Sequence, residues 1–299
     1  MKILLLGKNG QIGWELQRSL APLGELVALD RHSTEAHGGC GDLTQPDRLR
    51  ETVKRLRPDV VVNAAAHTAV DRAESEAELV HTVNAQAPGA LAEAANTVGA
   101  LLVHYSTDYV FDGSGETPWR EDAPPAPLSV YGASKRDGEG LVRASGARHL
   151  VFRTSWVYAA RGGNFARTML RLAQERDRLT VIDDQWGAPT GAELIADVTA
   201  HAIRQALREP ACGGTYHLAA AGETSWNGYA RFVLDTARAL KPNLSLKARE
   251  VAPVPTSAYP TPARRPLNSR LDTARLRDTF GLELPPWQAG VRRMLAEIL

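Results

Sequence analysis

The chain has 299 residues, 43% of them hydrophobic, enough for one large domain or two modest ones around a substantial core. Its 35 Lys and Arg nearly cancel its 34 Asp and Glu, so no surplus of positive charge draws it to nucleic acid or to an anionic membrane surface, and a small-molecule partner is expected. Two cysteines, Cys40 and Cys212, stand far apart and in no C-x-x-C arrangement, which indicates neither a disulfide framework nor a zinc site and favours a reducing compartment, the cytoplasm.

The first apolar run, Ile3 to Leu6, stops at Gly7, too short for the apolar region of a secretory signal, and no later stretch is long enough to span a bilayer. Further runs follow at Leu26 to Leu29, Val60 to Val62, Leu101 to Val103 and Leu150 to Phe152. Continuous rather than alternating apolar runs suit strands buried on both faces, as in a parallel sheet. Helical spacing lies between them: Ile12, Leu16, Leu20 and Leu23; Leu49, Val53 and Leu56; Leu91, Ala94, Ala95 and Val98. The alternation predicts an α/β chain with a Rossmann-type doubly wound parallel sheet. The second half is less regular. It offers a helix from about Phe165 to Glu175, a short strand over 179 to 182, renewed helix beyond Tyr216, and Pro-rich stretches between 253 and 266 that read as an ordered loop or arm. A smaller C-terminal lobe, with a cleft between it and the sheet, is the expected architecture.

The first strand runs into G-K-N-G-Q-I-G, with glycines at Gly7, Gly10 and Gly13. Glycine there permits a tight turn, close approach of a diphosphate to the backbone, and close packing of the next helix, whose N-terminus favours an anion. Strand before, helix after and an acidic residue about twenty positions on make this a dinucleotide-binding signature. The acidic residue is Asp30, able to accept both ribose hydroxyls of an adenosine and to repel the extra phosphate of NADP; Arg31 beside it would offset that repulsion, so the choice between NADPH and NADH stays open. The small side chains Ala64, Ala65 and Ala66 follow the third run, where a flat ligand would meet the sheet edge.

The fourth run leads into H-Y-S-T-D-Y-V-F-D-G, which sets Thr107 and Asp108 at the carboxyl edge of the sheet. S-V-Y-G-A-S-K then places Tyr131 four residues before Lys135. On a helix the two share a face, and an ammonium there is expected to lower the phenol's pKa, making Tyr131 a proton donor or acceptor near neutral pH. The Thr107 hydroxyl could hold the same substrate oxygen.

These motifs together resemble the extended short-chain dehydrogenase/reductases. More narrowly, N-A-A-A-H-T-A-V-D, V-H-Y-S-T-D-Y-V-F-D-G, V-Y-G-A-S-K, F-R-T-S-W-V-Y, D-Q-W-G-A-P-T and A-Y-P-T-P-A-R-R-P-L-N-S-R-L are similar, essentially end to end, to the dTDP-4-dehydrorhamnose reductase family. The resemblance implies that hydride from NADPH or NADH reduces the 4-keto group of dTDP-4-dehydro-L-rhamnose, the last step of dTDP-L-rhamnose synthesis. It makes Tyr131 the proton donor, Lys135 the holder of the nicotinamide ribose and Thr107 the residue that orients the ketone. Gly10, Gln11, Ile12, Asp30, Asp42, Leu43, Ala64, Ala65 and Ala66 would line the cofactor, and Asp108 and Trp156 would touch the sugar. Arg264 and Arg265 could clamp the nucleotide diphosphate or merely solubilise a loop. Some members form a magnesium-bridged homodimer, and Glu15, Glu193 and Glu297 fall at the matching positions. The implied lobe is discontinuous: residues 1–157 form the cofactor domain, with 185–215 returning to it, and 158–184 with 216–299 form the substrate-binding lobe. Two other readings share the fold: a sugar-nucleotide dehydratase or epimerase, and a non-enzymatic regulatory subunit. Tyr109 stands where dehydratases of the superfamily carry a glutamate after the aspartate, and an intact Thr107, Tyr131 and Lys135 set speaks for catalysis.

Overall fold

A computed structural model describes residues 1–299. Six strands, β1 (Lys2–Leu6), β2 (Glu25–Leu29), β3 (Val60–Asn63), β4 (Leu101–Thr107), β5 (His149–Thr154) and β6 (Gly214–His217), form one sheet in the order β6-β5-β4-β3-β1-β2. Every pairing is parallel. The first five coincide with the apolar runs. The sixth does not: its sequence, G-T-Y-H, is short and half polar. It lies at an edge of the sheet, beside β5 alone, so it needs fewer apolar residues than a central strand.

Alternate side chains of each strand enter different cores. Ile3, Leu5, Val60, Val62, Leu101 and Val103 point to the face covered by α1 (Gln11–Leu20), which supplies Leu16 and Leu20, and by the later helix Ala192–Arg208, which supplies Ile195, Val198 and Ile203. Leu4, Leu6, Val61, Leu102 and Val151 point to the other face, covered by α2 (Pro46–Leu56), α3 (Ala87–Val98) and α4 (Val130–Ala144). That division is the period-2 geometry of a strand buried on both sides. A third core joins the helices Phe165–Glu175, Trp226–Leu240 and Trp287–Ile298. Leu276, Phe280 and Leu284, although late in the chain, pack into the sheet core and not into this one. The start of the Pro-rich stretch is a strand, Glu250–Val254, paired in parallel with Arg178–Ile182 in a two-stranded sheet, where Pro253 is tolerated because the strand has only one neighbour. No helix is long and apolar enough to cross a membrane.

The sheet and α4 are tied by a buried ion pair. Glu139 of α4 accepts from Arg153 of β5 through both oxygens, at 2.9 and 2.7 Å, and both side chains are closed to solvent. Burial by itself would raise the Glu139 carboxyl, but the Arg153 hydrogen bonds and charge outweigh it and hold the group below its ordinary value. Glu139→Leu would leave the guanidinium buried without its counter-charge and should cost about 3–5 kcal/mol of stability, measured by urea unfolding at neutral pH.

Candidate active site

With β1 flanked by β2 and β3, the direction of winding reverses between β1 and β3, and the carboxyl ends of those strands open a crevice. The chain fits tightly there. Gly7 has φ 88°, and a β-carbon on it would stand 2.7 Å from the Ala65 nitrogen; one on Gly13 would stand 2.0 Å from the Gly7 carbonyl oxygen. Side chains at these positions would push α1 off the sheet and the loop off β3. Gly10 caps α1 without any side-chain acceptor, so amide N–H groups of the first turn remain free for a ligand, and the nearby Gln11 Oε1 is buried without a partner. This is a cradle of the size and polarity that a diphosphate requires.

A cleft of about 870 Å³ extends from that cradle. Gly7, Gly10, Gln11, Ile12, Asp30, Arg31, Asp42, Leu43 and Ala64 to Ala66 line one part of it; Thr107, Asp108, Tyr131, Lys135 and Trp156 line the other. Gly13 lies under the loop, outside the cleft wall. Asp30 accepts from Asn9 Nδ2 at 2.6 Å and lies 3.7 Å from Lys8 Nζ. Burial tends to raise its carboxyl, yet the His32 amide, Ser33 and Lys8 hold it below its ordinary value, so it is an anion available to accept hydrogen bonds.

At the other end, Thr107 closes β4 and caps the turn Asp108–Val110, accepting from the Tyr109 amide at 3.2 Å and donating to Asp108 Oδ1 at 3.0 Å. Ser129 caps α4 by accepting from the Gly132 amide, which fixes Tyr131 in the first helical turn. Tyr131 stands beside Thr107 and packs edge-on against Tyr109, with ring centroids 5.8 Å apart. Burial pushes its phenol up to about 12, against the neighbouring Thr107 hydroxyl, which lowers it; the Asp108 charge adds to the rise. The expectation that Lys135 lowers the Tyr131 pKa is therefore corrected. Lys135 is itself desolvated, its ammonium brought down to about 8 by burial despite Glu139, and its Nζ lies 3.2 Å from His104 Nε2, toward the sheet. Tyr131 is a protonated phenol across the neutral range.

Trp156 adopts φ 47°, a conformation that a non-glycine residue holds only when its surroundings require it. Its ring stacks on Trp226 at 3.7 Å with 13° between planes, and Gly187 makes the room, since a β-carbon there would meet the Trp156 ring at 2.8 Å. Trp226, which also lines the cleft, went unnoticed in the sequence because it comes from a distant helix with no motif around it. Arg265 pairs with Asp71 at 2.8 Å and lowers the Tyr109 phenol against its burial; Arg264 is exposed, and neither lines the cleft. Glu15, Glu193 and Glu297 lie elsewhere. They are close enough for Glu15 and Glu297 to raise Glu193, itself raised first by burial, but Glu15 pairs with Arg18 and Glu193 with Arg293. Within the single chain no three His, Cys, Asp or Glu side chains form a group able to hold a metal ion; the magnesium expected at these residues bridges two subunits.

Asp108 is buried with Oδ2 unpartnered, and burial raises its carboxyl to about 6 in spite of Ser269 and Thr107. Because the folded value lies above the unfolded one, this group favours folding below about pH 4 and that contribution is lost as pH rises through about 6. Asp108→Asn should thus exceed the wild type in stability at pH 7 by on the order of 1–3 kcal/mol, with the difference vanishing near pH 4 in urea titrations at both pH values.

Comparison with known proteins agrees with this arrangement along the whole chain. The sequence profile described as RmlD substrate binding domain matches residues 1–299. A Shigella flexneri protein named dTDP-4-dehydrorhamnose reductase is 59% identical over 298 residues, which are 100% of this chain and 98% of that protein; one of the same name from Burkholderia thailandensis is 50% identical over 303 residues, 100% and 99% of the two chains. Among solved structures, a Bacillus anthracis dTDP-4-dehydrorhamnose reductase in complex with NADP superposes with a TM-score of 0.86 at 33% identity, covering 99% of each chain. On its cleft, its glycine cradle and these full-length similarities, the chain belongs to the dTDP-4-dehydrorhamnose reductase family.

Proposed function

We propose that the protein is an NAD(P)H-dependent reductase of dTDP-4-dehydro-L-rhamnose, converting the 4-keto group to the hydroxyl of dTDP-L-rhamnose. The observation that carries this reading is one cavity shared by the glycine cradle and by Thr107, Tyr131 and Lys135. When bound, NADPH or NADH supplies the hydride.

In this reading the diphosphate sits on the free amides at the start of α1, Asp30 accepts from the adenosine ribose, and Ala64 to Ala66 leave space for the flat rings. Lys135 donates to the ribose next to the nicotinamide. Tyr131 and Thr107, side by side in the cleft, meet the ketone oxygen: Thr107 orients it by turning its hydroxyl proton from Asp108 to it, and Tyr131 gives it a proton as the alkoxide forms. A phenol near 12 is matched to that task, since it keeps its proton in water yet gives it up to an alkoxide. Asp108 accepts from the Thr107 hydroxyl until the ketone oxygen takes its place. The Trp156 and Trp226 stack offers an apolar wall for a sugar face. Arg264 and Arg265 are proposed to meet the nucleotide's diphosphate from the loop above the cleft, with Arg265 exchanging Asp71 for the phosphate. The sheet body, with residues from 1–157 and 185–215 joined by the rest of β6 and by Leu276, Phe280 and Leu284, serves the cofactor, and the remainder the sugar nucleotide.

Purified protein should oxidise NADPH or NADH when given dTDP-4-dehydro-L-rhamnose, followed by absorbance; no consumption with any 4-keto sugar nucleotide would sink the reading. Tyr131→Phe should lower kcat by about 10²–10⁴ while the dissociation constant for the cofactor stays within a few-fold. Because the Lys135 ammonium, lowered to about 8, is lost as pH rises through that value, kcat/KM for the cofactor should fall on the alkaline side with an apparent pKa near 8.

A further inference from the structure

His104 takes no part in the chemistry above, yet it is 1% exposed and touches the group that does. It stands on β4, three residues before Thr107, with Asn63 of β3 on one side and Lys135 of α4 on the other. Its Nδ1 lies 3.3 Å from Asn63 Nδ2 and its Nε2 lies 3.2 Å from Lys135 Nζ. Asn63 cannot turn over freely, because its Oδ1 accepts from the Ala65 amide at 3.2 Å. The amide therefore presents N–H groups to His104, an arrangement that favours Nδ1 as acceptor and the imidazole proton on Nε2. That proton points at Lys135.

We propose that His104 is a positioning residue for Lys135: its Nε2–H, fixed by Asn63 and the Ala65 backbone, faces the Lys135 nitrogen as a donor, favours the neutral amine over the ammonium, and so sets the upper pH limit of activity. The proposal rests on the reductase reading for its kinetic consequence and on geometry alone for the tautomer.

The chemistry is that of a donor meeting a group which, when charged, has only donors. An ammonium has no lone pair for Nε2–H, whereas the amine has one. Double protonation of the ring does not relieve the conflict, since burial and then the Lys135 charge keep His104 neutral, well below its ordinary value. Other ionisable groups around Lys135 are accounted for. Glu139, one turn on, favours the ammonium but is already held by Arg153 of β5 and Arg143. Tyr131 is a neutral phenol, and Asp108 and Tyr109 occupy the turn after β4. The segment Thr82–Gln86 brings no ionisable side chain. Glu93 of α3 is paired with Arg50; Arg72, Glu78 and His81 of the short helices Val70–Ala73 and Ala77–His81 are exposed, and Asp71 is paired with Arg265. On β4 Tyr105 bonds Thr199 on the opposite face, and on β5 His149 lies at the start of the strand. His104 is thus the one neutral donor set directly against Nζ. The link to Ala65, which lines the cleft beside Gly7, joins the Lys135 nitrogen to the floor of the cofactor cradle through two side chains.

The test has two arms. In His104→Gln the amide can present oxygen to the ammonium, and the alkaline pKa of kcat/KM for the cofactor should move up by about one unit. An unchanged alkaline pKa, with activity altered equally at every pH, would mean a merely structural role and overturn the proposal. The second arm needs neither substrate nor turnover: nitrogen-15 NMR of the histidine side chains in the wild type, with the His104 signals assigned by their loss in His104→Gln. Proton on Nε2 and a bare Nδ1 is the expected result; a proton on Nδ1 would overturn the proposal even if the variant folds poorly. Absence of turnover in the wild type would instead count against the reductase reading and leave the tautomer measurement decisive for His104.

Discussion

Glu139 cannot leave its place without stranding Arg153, and much of the catalytic geometry hangs on that. The pair fastens the middle of α4 to β5 inside the protein, one turn beyond Lys135. The start of α4 is pinned separately by Ser129, and its flank by Asn84, which donates to Ser134 while bridging to both the amide and the carbonyl of His67. A firmly anchored helix results, which is what the proton donor proposed for it needs, since an error of an ångström in the donor's position would forfeit most of its effect.

The same anchoring explains how a lysine survives in the interior. Its charge is desolvated, which on its own would be unfavourable, and Glu139 offsets part of that. Glu139 in turn is shared with Arg153 and Arg143, so the cluster carries two strong cations against a single carboxylate before Lys135 is counted. Lys135 holds its proton loosely because it is buried, and Glu139 offsets only part of that. Tyr131 sits at the other extreme, with its proton held more firmly than in water. The two ionisable groups of the motif are therefore pushed apart, which suits one to giving a proton only to a strong base such as an alkoxide and the other to responding to what enters the cleft.

Backbone proximity is the second constraint. At the β1 and β3 carboxyl ends the loops approach so closely that Gly7 and Gly13 have no substitutes with a β-carbon. The contact fixes the cradle relative to Ala65, and through Asn63 and His104 relative to Lys135. On the lobe side, Gly187 plays the corresponding part by admitting the Trp156 ring against Trp226.

How much of this could be read from residues alone depended on how local the physics was. The strands of the central sheet are legible as apolar runs because a strand buried on both faces has no polar side to show, and the glycine loop is legible because turn, close approach and helix start are all set within seven residues. Tyr131 and Lys135 were visible through helical periodicity. Their ionisation was not: the expected lowering of the phenol by Lys135 failed because the phenol's own burial, with the Asp108 charge from the turn after β4, raises it. Strand β6 was hidden by its edge position, Trp226 by its distance from any motif, and the glutamates' pairing with Arg18 and Arg293 by the same non-locality. The sequence by itself determined the order of elements, the cradle and the shared helical face of Tyr131 and Lys135, since each follows from spacing along one element. Only the tertiary structure decided which charges those side chains carry and what they face, because desolvation and cross-strand hydrogen bonds are properties of neighbours that the chain brings together only when it folds.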